Sequence, residues 1–232
     1  MKKFLKVIIF LTIIGLSISL LFIWKGYSMY KEAIEKSTIE EKIEEIQNKE
    51  SYTKFSELPD MYVKAVISVE DKRFYEHGGI DVIAIGRAFI NDIKTMSYAE
   101  GGSTITQQLA KNMYFTQEKR IDRKIAEVFV AFDIERQYSK EEIFELYVNS
   151  IYFGDGYYTV KEACEGYFNK EVDEMTNGEC ILLAGIPNAP SVYAPTVNPE
   201  LAKQRQKQVI EKMIDNNLLT QEEADEIIKE GE

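Results

Sequence analysis

The sequence predicts a mainly α-helical domain that follows one transmembrane helix. Apolar residues recur at helical spacing almost throughout the chain from Leu58 onward. No run alternates between apolar and polar residues in the way that a half-buried strand would. Residues 7–24 are too uniformly apolar to belong to the same soluble core.

The composition narrows the range of functions. With 232 residues, of which 45% are hydrophobic, the chain has room for one folded domain of ordinary size. The net charge of −11 argues against a nucleic-acid partner, because such proteins need a basic surface. One histidine and two cysteines leave little material for a zinc site, so we assign no metal ligands. Cys164 and Cys180 could form a disulfide or stay as buried thiols, and the sequence favours thiols without deciding.

The first element is a membrane anchor at residues 1–25. Residues 7–24 are apolar apart from small or hydroxyl residues, and at roughly 1.5 Å per residue they extend about 27 Å, near the thickness of a bilayer core. Lys2, Lys3 and Lys6 precede this run, so we expect a cytoplasmic N-terminus and an extracytoplasmic domain at the cell membrane. A cleaved signal peptide is the alternative, but the run is long and no Ala-x-Ala-like site follows.

The next segment, residues 26–56, is highly charged and is the predicted juxtamembrane stalk. Ile39, Ile43 and Ile46 lie at helical spacing among glutamates and lysines, which indicates a solvated amphipathic helix. The domain is expected to span residues 57–232. Capping-box spacing marks three of its helix starts: Ser139 with Glu142, Thr176 with Glu179 and Thr220 with Glu223.

A helix at residues 121–138 is predicted to be central to the domain. Its apolar residues occupy two sides, with Ile121, Ile125, Val128, Phe129 and Phe132 on one and Val130, Ala131 and Ile134 on the other. A helix that is apolar on both sides is buried. Glu127 is therefore expected to face a cleft that Arg120, Arg123 and Lys124 make positive. The alternative is a routine Arg123–Glu127 ion pair, which would contribute only a few tenths of a kcal/mol.

Two polar blocks, residues 70–81 and 101–108, are predicted to form two walls of one cleft. Polar groups near a core must be hydrogen-bonded or solvated, so a purely structural segment rarely contains so many. Glu70 follows apolar residues that can desolvate it, which would raise its pKa and suit a general base. A basic cluster that suits a pyrophosphate follows the glycines: Lys111, Lys119, Arg120, Arg123 and Lys124. Donors for sugar hydroxyls or phosphate oxygens come from Ser103, Thr104, Gln107 and Gln108.

Five ordered motifs resemble those of the peptidoglycan glycosyltransferases, family 51. The first three are Glu70-Asp71-x-x-Phe74-x-x-His77-x-Gly79, Gly102-Ser103-Thr104-x-Thr106-Gln107-Gln108 and Arg123-Lys124-x-x-Glu127. The fourth and fifth are Glu142-Ile143-x-Glu145-x-Tyr147-x-Asn149, with Tyr152-Phe153-Gly154, and Arg205-x-x-x-Val209-Ile210-x-x-Met213. Each motif alone is weak, but their order and spacing agree with the family. Because no transpeptidase domain follows in this sequence, we expect the monofunctional, membrane-anchored form of a domain that class A penicillin-binding proteins also contain.

The resemblance implies a role for each matched residue. Glu70 matches the general base, and Glu127 matches the second glutamate, which lies on the donor side near the pyrophosphate. The basic cluster matches groups that hold the diphosphate, and the hydroxyl and amide residues before it match a wall of the cleft. Residues expected to shape the site without reacting are Asp71, Phe74, His77, Gly102, Asn149 and Arg205. Two positions depart from the family: Lys119 stands where arginine is usual, and Cys164 where alanine is more common.

The resemblance also implies a lysozyme-like lobe and a smaller, membrane-proximal jaw lobe at about residues 82–100. The apolar residues of this jaw are Ile83, Ile85, Phe89, Ile90, Ile93 and Met96. We expect them to dip into the outer leaflet of the membrane. The alternative is that they form ordinary core.

The reaction that the resemblance implies is the polymerisation of lipid II into β-1,4-linked glycan, with inversion and release of polyprenyl pyrophosphate. No cofactor is certain, although some relatives use a divalent cation, Mg²⁺ or Mn²⁺, at the pyrophosphate. The expected partners are lipid II, the growing lipid-linked glycan, the membrane and other cell-wall synthesis proteins. Two alternatives are a lysozyme-like enzyme that cleaves glycan and a non-catalytic, membrane-anchored scaffold that binds lipid-linked precursors.

Overall fold

The computed structural model describes residues 2–95, 102–116, 118 and 120–230. Within these ranges the chain is mainly α-helical and contains no strand, as the sequence predicts. The helices are α1 (Lys2–Lys36), α2 (Ile39–Gln47), α3 (Asp60–Glu70), α4 (Val82–Thr95), α5 (Ile105–Tyr114), α6 (Ile121–Gln137), α7 (Lys140–Val148), α8 (Val160–Phe168), α9 (Asn177–Gly185), α10 (Pro190–Tyr193), α11 (Pro199–Asp215) and α12 (Gln221–Glu230). Short 3₁₀ turns lie at Phe55–Glu57, Phe74–Glu76, Val172–Glu174 and Ile186–Asn188.

The N-terminal helix α1 is long and apolar enough to cross a membrane. Its stretch Lys3–Lys36 contains an 18-residue window with a mean hydropathy of 2.7, and no residue of that window is buried. The helix does not end with the apolar run at Trp24 but continues without a break to Lys36. The second half of α1 therefore belongs to the segment for which the sequence predicts a stalk.

The helix α2 also lies within the predicted stalk, and here the structure differs from the expectation of a solvated helix. Ile39, Ile43 and Ile46 are only 4%, 4% and 7% exposed and join the hydrophobic core. The charged residues between them face water, so the amphipathic pattern is present but its apolar face is covered. Residues 39–47 thus pack on the domain, while the predicted domain boundary at residue 57 stays a prediction.

The core holds the helices that carry the predicted site. The helix α3 packs on α9 and α11, and α5 packs on α6 and α7. Fully buried side chains between them include Tyr62, Leu109, Phe144, Tyr147 and Ile181. Hydrogen bonds from Ile105 and Gln108 join α5 to the end of α3, at Asp71 and Glu70, and α5 in turn packs on α6, which carries Glu127.

Local caps determine where several helices begin. The three predicted capping boxes are present at the starts of α7, α9 and α12, with hydrogen bonds between Ser139 and Glu142, Thr176 and Glu179, and Thr220 and Glu223. Both cysteines, Cys164 and Cys180, are buried free thiols. Burial raises the pKa of each to about 12, so both are protonated and unreactive.

The helix α4 contains the described part of the predicted jaw. Val82, Ile83, Ile85 and Ile90 are 69%, 60%, 45% and 54% exposed, which is contrary to the alternative of ordinary core. Ala88 is buried, and the helix approaches Gly102 through Ala88 and Ile85. Residues 96–100, with Met96, and the side chains of Phe89 and Ile93 lie outside the described part of the chain. The expected contact with a membrane stays a prediction.

Candidate active site

Helix packing brings the two predicted catalytic carboxylates to one cavity. Glu70 is the last residue of α3, and Glu127 lies in the second turn of α6. The cavity that both line has a volume of about 370 Å³, and we call it the glutamate cavity. Its other lining residues are Val69, Ser103, Gln107, Gln108, Lys111, Arg123, Lys124 and Asn188. Most of the predicted site residues therefore lie together.

Glu70 is held by a neutral donor. The Nε2 amide of Gln108 donates a hydrogen bond of 2.7 Å to Oε2 of Glu70. Burial raises the pKa of Glu70, and this effect outweighs Gln108, Arg205 and Lys111, which act to lower it. A carboxylate with a raised pKa is a stronger proton acceptor once it is ionised, which is the property that a general base needs.

Glu127 is held by two cations. Its side chain is 1% exposed, and its two carboxylate oxygens accept hydrogen bonds from Arg123 Nη1 and, at 2.9 Å, from Lys124 Nζ. The Arg123–Glu127 pair is therefore present, but it is buried and shared with Lys124, unlike a routine surface pair. Lys124 Nζ also donates to Ser103 Oγ at 2.7 Å. One ammonium group thus connects α6 to the segment that precedes α5.

The charge of the glutamate cavity is positive, with three cations against two carboxylates. Burial lowers the pKa of Lys111, and the carboxylate of Glu127 opposes this effect. The side chain of Lys124 is 41% exposed, so its ammonium can contact a bound anion while it contacts Glu127. An excess of positive charge in a half-enclosed cavity fits a diphosphate better than it fits a neutral sugar.

Thr104 and Gln107, which the sequence assigns to substrate binding, form the capping box of α5. The Gln107 N–H donates to Thr104 Oγ1 at 3.1 Å, and the Thr104 N–H donates to Gln107 Oε1 at 3.0 Å. Thr104 Oγ1 also donates to the carbonyl of Gly79 at 2.9 Å. Thr-x-x-Gln is a capping-box signature, so the sequence contained this signal. These two side chains hold the cavity wall, although Gln107 also lines the cavity.

A second cavity, with a volume of about 380 Å³, adjoins the first. It shares Val69, Glu70, Ser103 and Asn188 with the glutamate cavity. We call it the arginine cavity, because Arg87 and Arg205 line it together with Lys72, Lys212 and Gly102. Glu70 thus lies between two cavities, both of which have cationic side chains in their walls.

Several residues that line these cavities were missed by sequence reasoning, and three polar ones show why. Asn188 borders both cavities from the 3₁₀ turn after α9, and Arg87 and Lys212 border the arginine cavity from α4 and α11. Asn188 and Arg87 lie outside the five motifs, and Lys212 occupies an unspecified position of the fifth. Single polar residues in helices or turns carry no signal of their own. Arg205, which the fifth motif did identify, donates to the carbonyl of Gly185 at 3.2 Å.

Asp71 and His77 form a hydrogen-bonded brace behind Glu70. Nε2 of His77 contacts Asp71 Oδ1 at 2.7 Å, and Nδ1 contacts the carbonyl of Gly78 at 2.5 Å. Asp71 Oδ2 accepts from the N–H of Ile105 at 3.1 Å, at the start of α5. Burial acts to lower the pKa of His77, but the bonds to Asp71 and Gly78 outweigh it and raise the pKa. Asp71 and His77 thus join the segment after α3 to the start of α5, and their expected role in shaping the site stays a prediction.

The remaining predicted residues lie away from the glutamate cavity. Arg120 is half exposed and pairs with Asp122 at 2.6 Å, and it is not among the lining residues of either cavity. Asn149 is buried and exchanges hydrogen bonds of 2.8 and 3.0 Å with the backbone of Thr53, so it braces the segment before α3. Phe74 is buried beneath Lys140, whose Nζ lies 4.5 Å from the ring centroid. Lys119 lies outside the described residues.

The described residues are a poor fit for a resident divalent cation. Both oxygens of Glu127 already accept from cationic donors, and one oxygen of Glu70 accepts from Gln108. Asp71, His77 and Asp81 have ligand atoms within 4.8 Å of one another. However, Asp71 accepts from His77 and Ile105, and Asp81 accepts two hydrogen bonds from Arg73. Divalent metal ions prefer free oxygen ligands, so we derive no step through a metal ion.

Comparison with known proteins identifies the family. A family model described as Transglycosylase matches residues 36–214. The chain is 44% identical over 184 residues to penicillin-binding protein 1A of Neisseria lactamica, which covers 79% of this chain and 23% of that protein. It is 47% identical over 169 residues to penicillin-binding protein 1F of Bacillus subtilis, and this match covers 73% of this chain and 24% of that protein. A crystal structure of penicillin-binding protein 1A from Haemophilus influenzae, 28% identical, covers 54% of this chain and 16% of that chain with a TM-score of 0.38.

The chain spans about a quarter of the length of the curated relatives that it matches. The matched residues nevertheless include every described helix from α2 to α10 and nearly all of α11. They also include both glutamates and all the cations of the glutamate cavity. Because the family model covers the whole site and most of the sequence, the chain belongs to the transglycosylase family, glycosyltransferase family 51.

Proposed function

We propose that this protein is a peptidoglycan glycosyltransferase that polymerises lipid II into β-1,4-linked glycan strands and releases polyprenyl pyrophosphate. The observation that supports the proposal is that two carboxylates in one cavity have different partners and different surrounding charge. Glu70 has a neutral donor and a raised pKa, whereas Glu127 is paired with two cations. This asymmetry suits a reaction that needs a base at one end and balanced charge at the other.

On the acceptor side, Glu70 takes the proton from the 4-hydroxyl of lipid II as that oxygen attacks the anomeric carbon of the growing glycan. The new C–O bond forms opposite the leaving group, so the configuration inverts as the bond to the diphosphate breaks. Gln108 orients Glu70 by binding Oε2, and Oε1 then faces the acceptor hydroxyl. The arginine cavity, on the other side of Glu70, receives the diphosphate that the acceptor itself carries, and its wall contains four cationic side chains and four carboxylates.

On the donor side, the cations of the glutamate cavity stabilise the charge that develops on the departing diphosphate. Lys111, Arg123 and Lys124 surround the position of this group. Glu127 holds Arg123 and Lys124 in place and keeps their charge balanced before the donor binds. A divalent cation at the pyrophosphate stays a prediction. In this site it would have to be bound mainly by the diphosphate, because the oxygens of Glu127 are engaged.

The proposal places the domain on the extracytoplasmic face of the cell membrane, with the N-terminus in the cytoplasm. The lysines before the apolar run of α1 support this orientation. A tether confines the enzyme and its lipid-linked substrate to one surface, which raises their effective concentration. The exposed apolar residues of α4 give the domain a further surface for the outer leaflet. Binding of other cell-wall synthesis proteins stays a prediction.

The two alternatives explain the site less well. A lysozyme-like hydrolase acts on a neutral glycan and has no use for three cations beside its carboxylates. A non-catalytic scaffold could bind a diphosphate with those cations, but it has no use for a Glu70 whose pKa is raised.

The test is to incubate the detergent-solubilised full chain with labelled lipid II and to separate the products by size. We expect long glycan that a muramidase degrades. Glu70→Gln should lower the rate by about 10³-fold, because the variant has no base for the acceptor hydroxyl. Glu222→Gln, an exposed glutamate in α12, is the matched control and should keep full activity.

Other products would support the alternatives. Unchanged lipid II with added Mg²⁺, with Mn²⁺ and with a chelator would reject the proposal, and retained lipid II binding would then favour the scaffold. Short fragments released from preformed glycan would favour the hydrolase. Equal rates for Glu70→Gln and the wild type would show that Glu70 is not the base.

A further inference from the structure

The helix α1 continues along α6 after it leaves the apolar run. Within residues 3–36, Gly26 is the one buried position, and it follows Trp24 by two residues. A Cβ added to Gly26 would lie 2.5 Å from Cγ2 of Ile125 and 2.9 Å from the carbonyl oxygen of Asp122. The lack of a side chain at residue 26 therefore allows the two helices to touch at the start of α6.

Further contacts fix the register of these helices. The ring of Phe129 lies 5.3 Å from the ring of Tyr27 and 5.6 Å from that of Tyr30. Tyr30 Oη donates a hydrogen bond of 2.5 Å to Asp133. As α1 advances from residue 26 to 30, its partners on α6 advance from residue 125 to 133. Both helices thus run in the same direction, and the N-terminal end of α6 faces the membrane.

This contact places the start of α6 at a defined depth. Trp24 ends the apolar run and is expected at the membrane interface, where tryptophan is enriched. Gly26 lies about 3 Å beyond Trp24 along α1, and Glu127 lies about 3 Å beyond Ile125 along α6. The headgroup layer on one side of a bilayer is about 5–8 Å thick, which is half the difference between the full thickness and the hydrocarbon core. Arg123, Lys124 and Glu127 therefore fall within this layer, at the level where a lipid carries its diphosphate.

The exposure of Ile121 agrees with this depth. It is the first residue of α6, and its apolar side chain is 62% exposed at the end of the helix that faces the membrane. An apolar side chain that is poorly covered by protein is stabilised at a membrane interface. The N-terminal end of α6, where the positive end of the helix dipole lies, also faces the headgroups.

We propose that the α1–α6 contact, centred on Gly26 and Tyr30, is a positioning device that sets the depth of the diphosphate site in the headgroup layer. The identity of the bound lipid as lipid II rests on the proposed function, whereas the depth of the start of α6 does not. Gly26 and Tyr30 act through α6 and do not touch the substrate. Loss of the contact is expected to impair reaction with a membrane-embedded lipid and to spare reaction with a soluble one.

The main variant is Gly26→Leu, because its side chain would force α1 away from the backbone at Asp122. Gly15→Leu is the matched control, since Gly15 lies in the same helix with no atom within 4 Å of an added Cβ. Depth is measured in vesicles with lipids that carry a quencher either at the headgroup or deep in the acyl chain. The probes are Trp24, the one tryptophan of the chain, and a fluorophore on Ile121→Cys.

We expect headgroup quenchers to act on both probes in the otherwise native chain. In Gly26→Leu, quenching of Trp24 should persist while quenching at residue 121 falls, and Gly15→Leu should change neither. The rate on long-chain lipid II in vesicles should fall by about 100-fold in Gly26→Leu, because small displacements of a reacting group are costly. The rate on a short-chain, water-soluble analogue should be nearly unchanged.

Unchanged quenching at residue 121 in Gly26→Leu would overturn the proposal, and so would equal losses on the two substrates. Tyr30→Phe, which removes the hydrogen bond to Asp133 and keeps the ring, is the second variant if Gly26→Leu does not fold. It should show the same substrate selectivity with a smaller loss. If the depth results hold but the wild type polymerises neither substrate, the proposed function fails and the positioning of α6 stands.

Discussion

The two glutamates of the site differ in how the fold treats their charge. Glu70 lies at the end of α3, where burial raises its pKa and the amide of Gln108 is its hydrogen-bond donor. Glu127 lies inside α6, where Arg123 and Lys124 each bind one of its oxygens. One carboxylate is thus left ready to take up a proton, and the other is held between two cationic side chains. Two carboxylates in different environments can take different roles in one site, one as a base and the other in stabilising charge.

The largest effect on stability is expected from Glu127→Gln. The variant keeps the shape of the side chain but leaves Arg123 and Lys124 without their counter-charge in a buried place. We expect the free energy of unfolding to fall by about 2 kcal/mol, less than for a fully buried pair because Lys124 is partly exposed. Thermal unfolding measures this loss, with Glu222→Gln as the control. A variant as stable as the wild type would show that the ion pairs contribute little.

Glu70→Gln is expected to raise the free energy of unfolding near neutral pH, whereas Glu127→Gln lowers it. The pKa of Glu70 is raised above its ordinary 4.5 in the folded state, so its stabilising contribution is present below about pH 4.5 and is lost as the pH rises through the folded-state pKa. A glutamine at this position is neutral at every pH, so the variant avoids the destabilisation that ionised Glu70 causes. Near pH 7 the variant should be more stable than the wild type by about 1 kcal/mol.

Unfolding measured between pH 4 and pH 8 tests this sign. The difference between variant and wild type should shrink as the pH falls toward the ordinary pKa of glutamate. A Glu70→Gln protein that is less stable than the wild type at pH 7 would mean that the fold stabilises the charged form of Glu70. The contrast between the two carboxylates would then be lost.

Gln108→Leu is expected to have a smaller effect, which is a shift in the pH dependence of kcat/KM. The hydrogen bond from Gln108 acts to lower the pKa of Glu70, so its removal should raise that pKa further. The acid limb of the profile of kcat/KM against pH should then move to higher pH, because the base must be ionised to act. Gln221→Leu, at a distant amide in α12, is the control. An acid limb at the same pH would assign that limb to another group.

Much of the fold and the site could be predicted from local patterns. Capping boxes such as Ser139 with Glu142 depend on residues three positions apart, so the sequence contains the whole interaction. The two-sided apolar pattern of α6 predicted a buried helix, and this holds for the side with Val130 and Ile134, which are fully buried. The other side is only partly covered, and its first residue, Ile121, is 62% exposed. The motifs that resemble the family placed Glu70, Ser103, Gln108, Lys111 and Glu127 in one site, and the structure brings these residues to one cavity.

What could not be predicted depends on partners distant in the sequence. The side chain of Arg120 has the same charge as that of Arg123, but it turns to Asp122 and away from the cavity. Asn149 lies in a matched motif, but its partner is the backbone of Thr53, 96 residues earlier. Asn188 belongs to no motif and reaches the site because the turn after α9 ends there. Spacing along the chain shows which residues share a face, and packing decides what that face contacts.

The burial of α2 has a practical consequence for anyone who wishes to shorten this chain for crystallisation. A version that starts at residue 57 would lack Ile39, Ile43 and Ile46 and would expose the core surface that they cover. Full burial of one such side chain contributes about 2 kcal/mol, so three are comparable with the whole stability of an ordinary domain. A soluble version should therefore keep Thr38, whose hydroxyl caps α2, and also residues 26–36 of α1, which pack on α6. The membrane-spanning residues can be removed, but the helix after them is part of the folded protein.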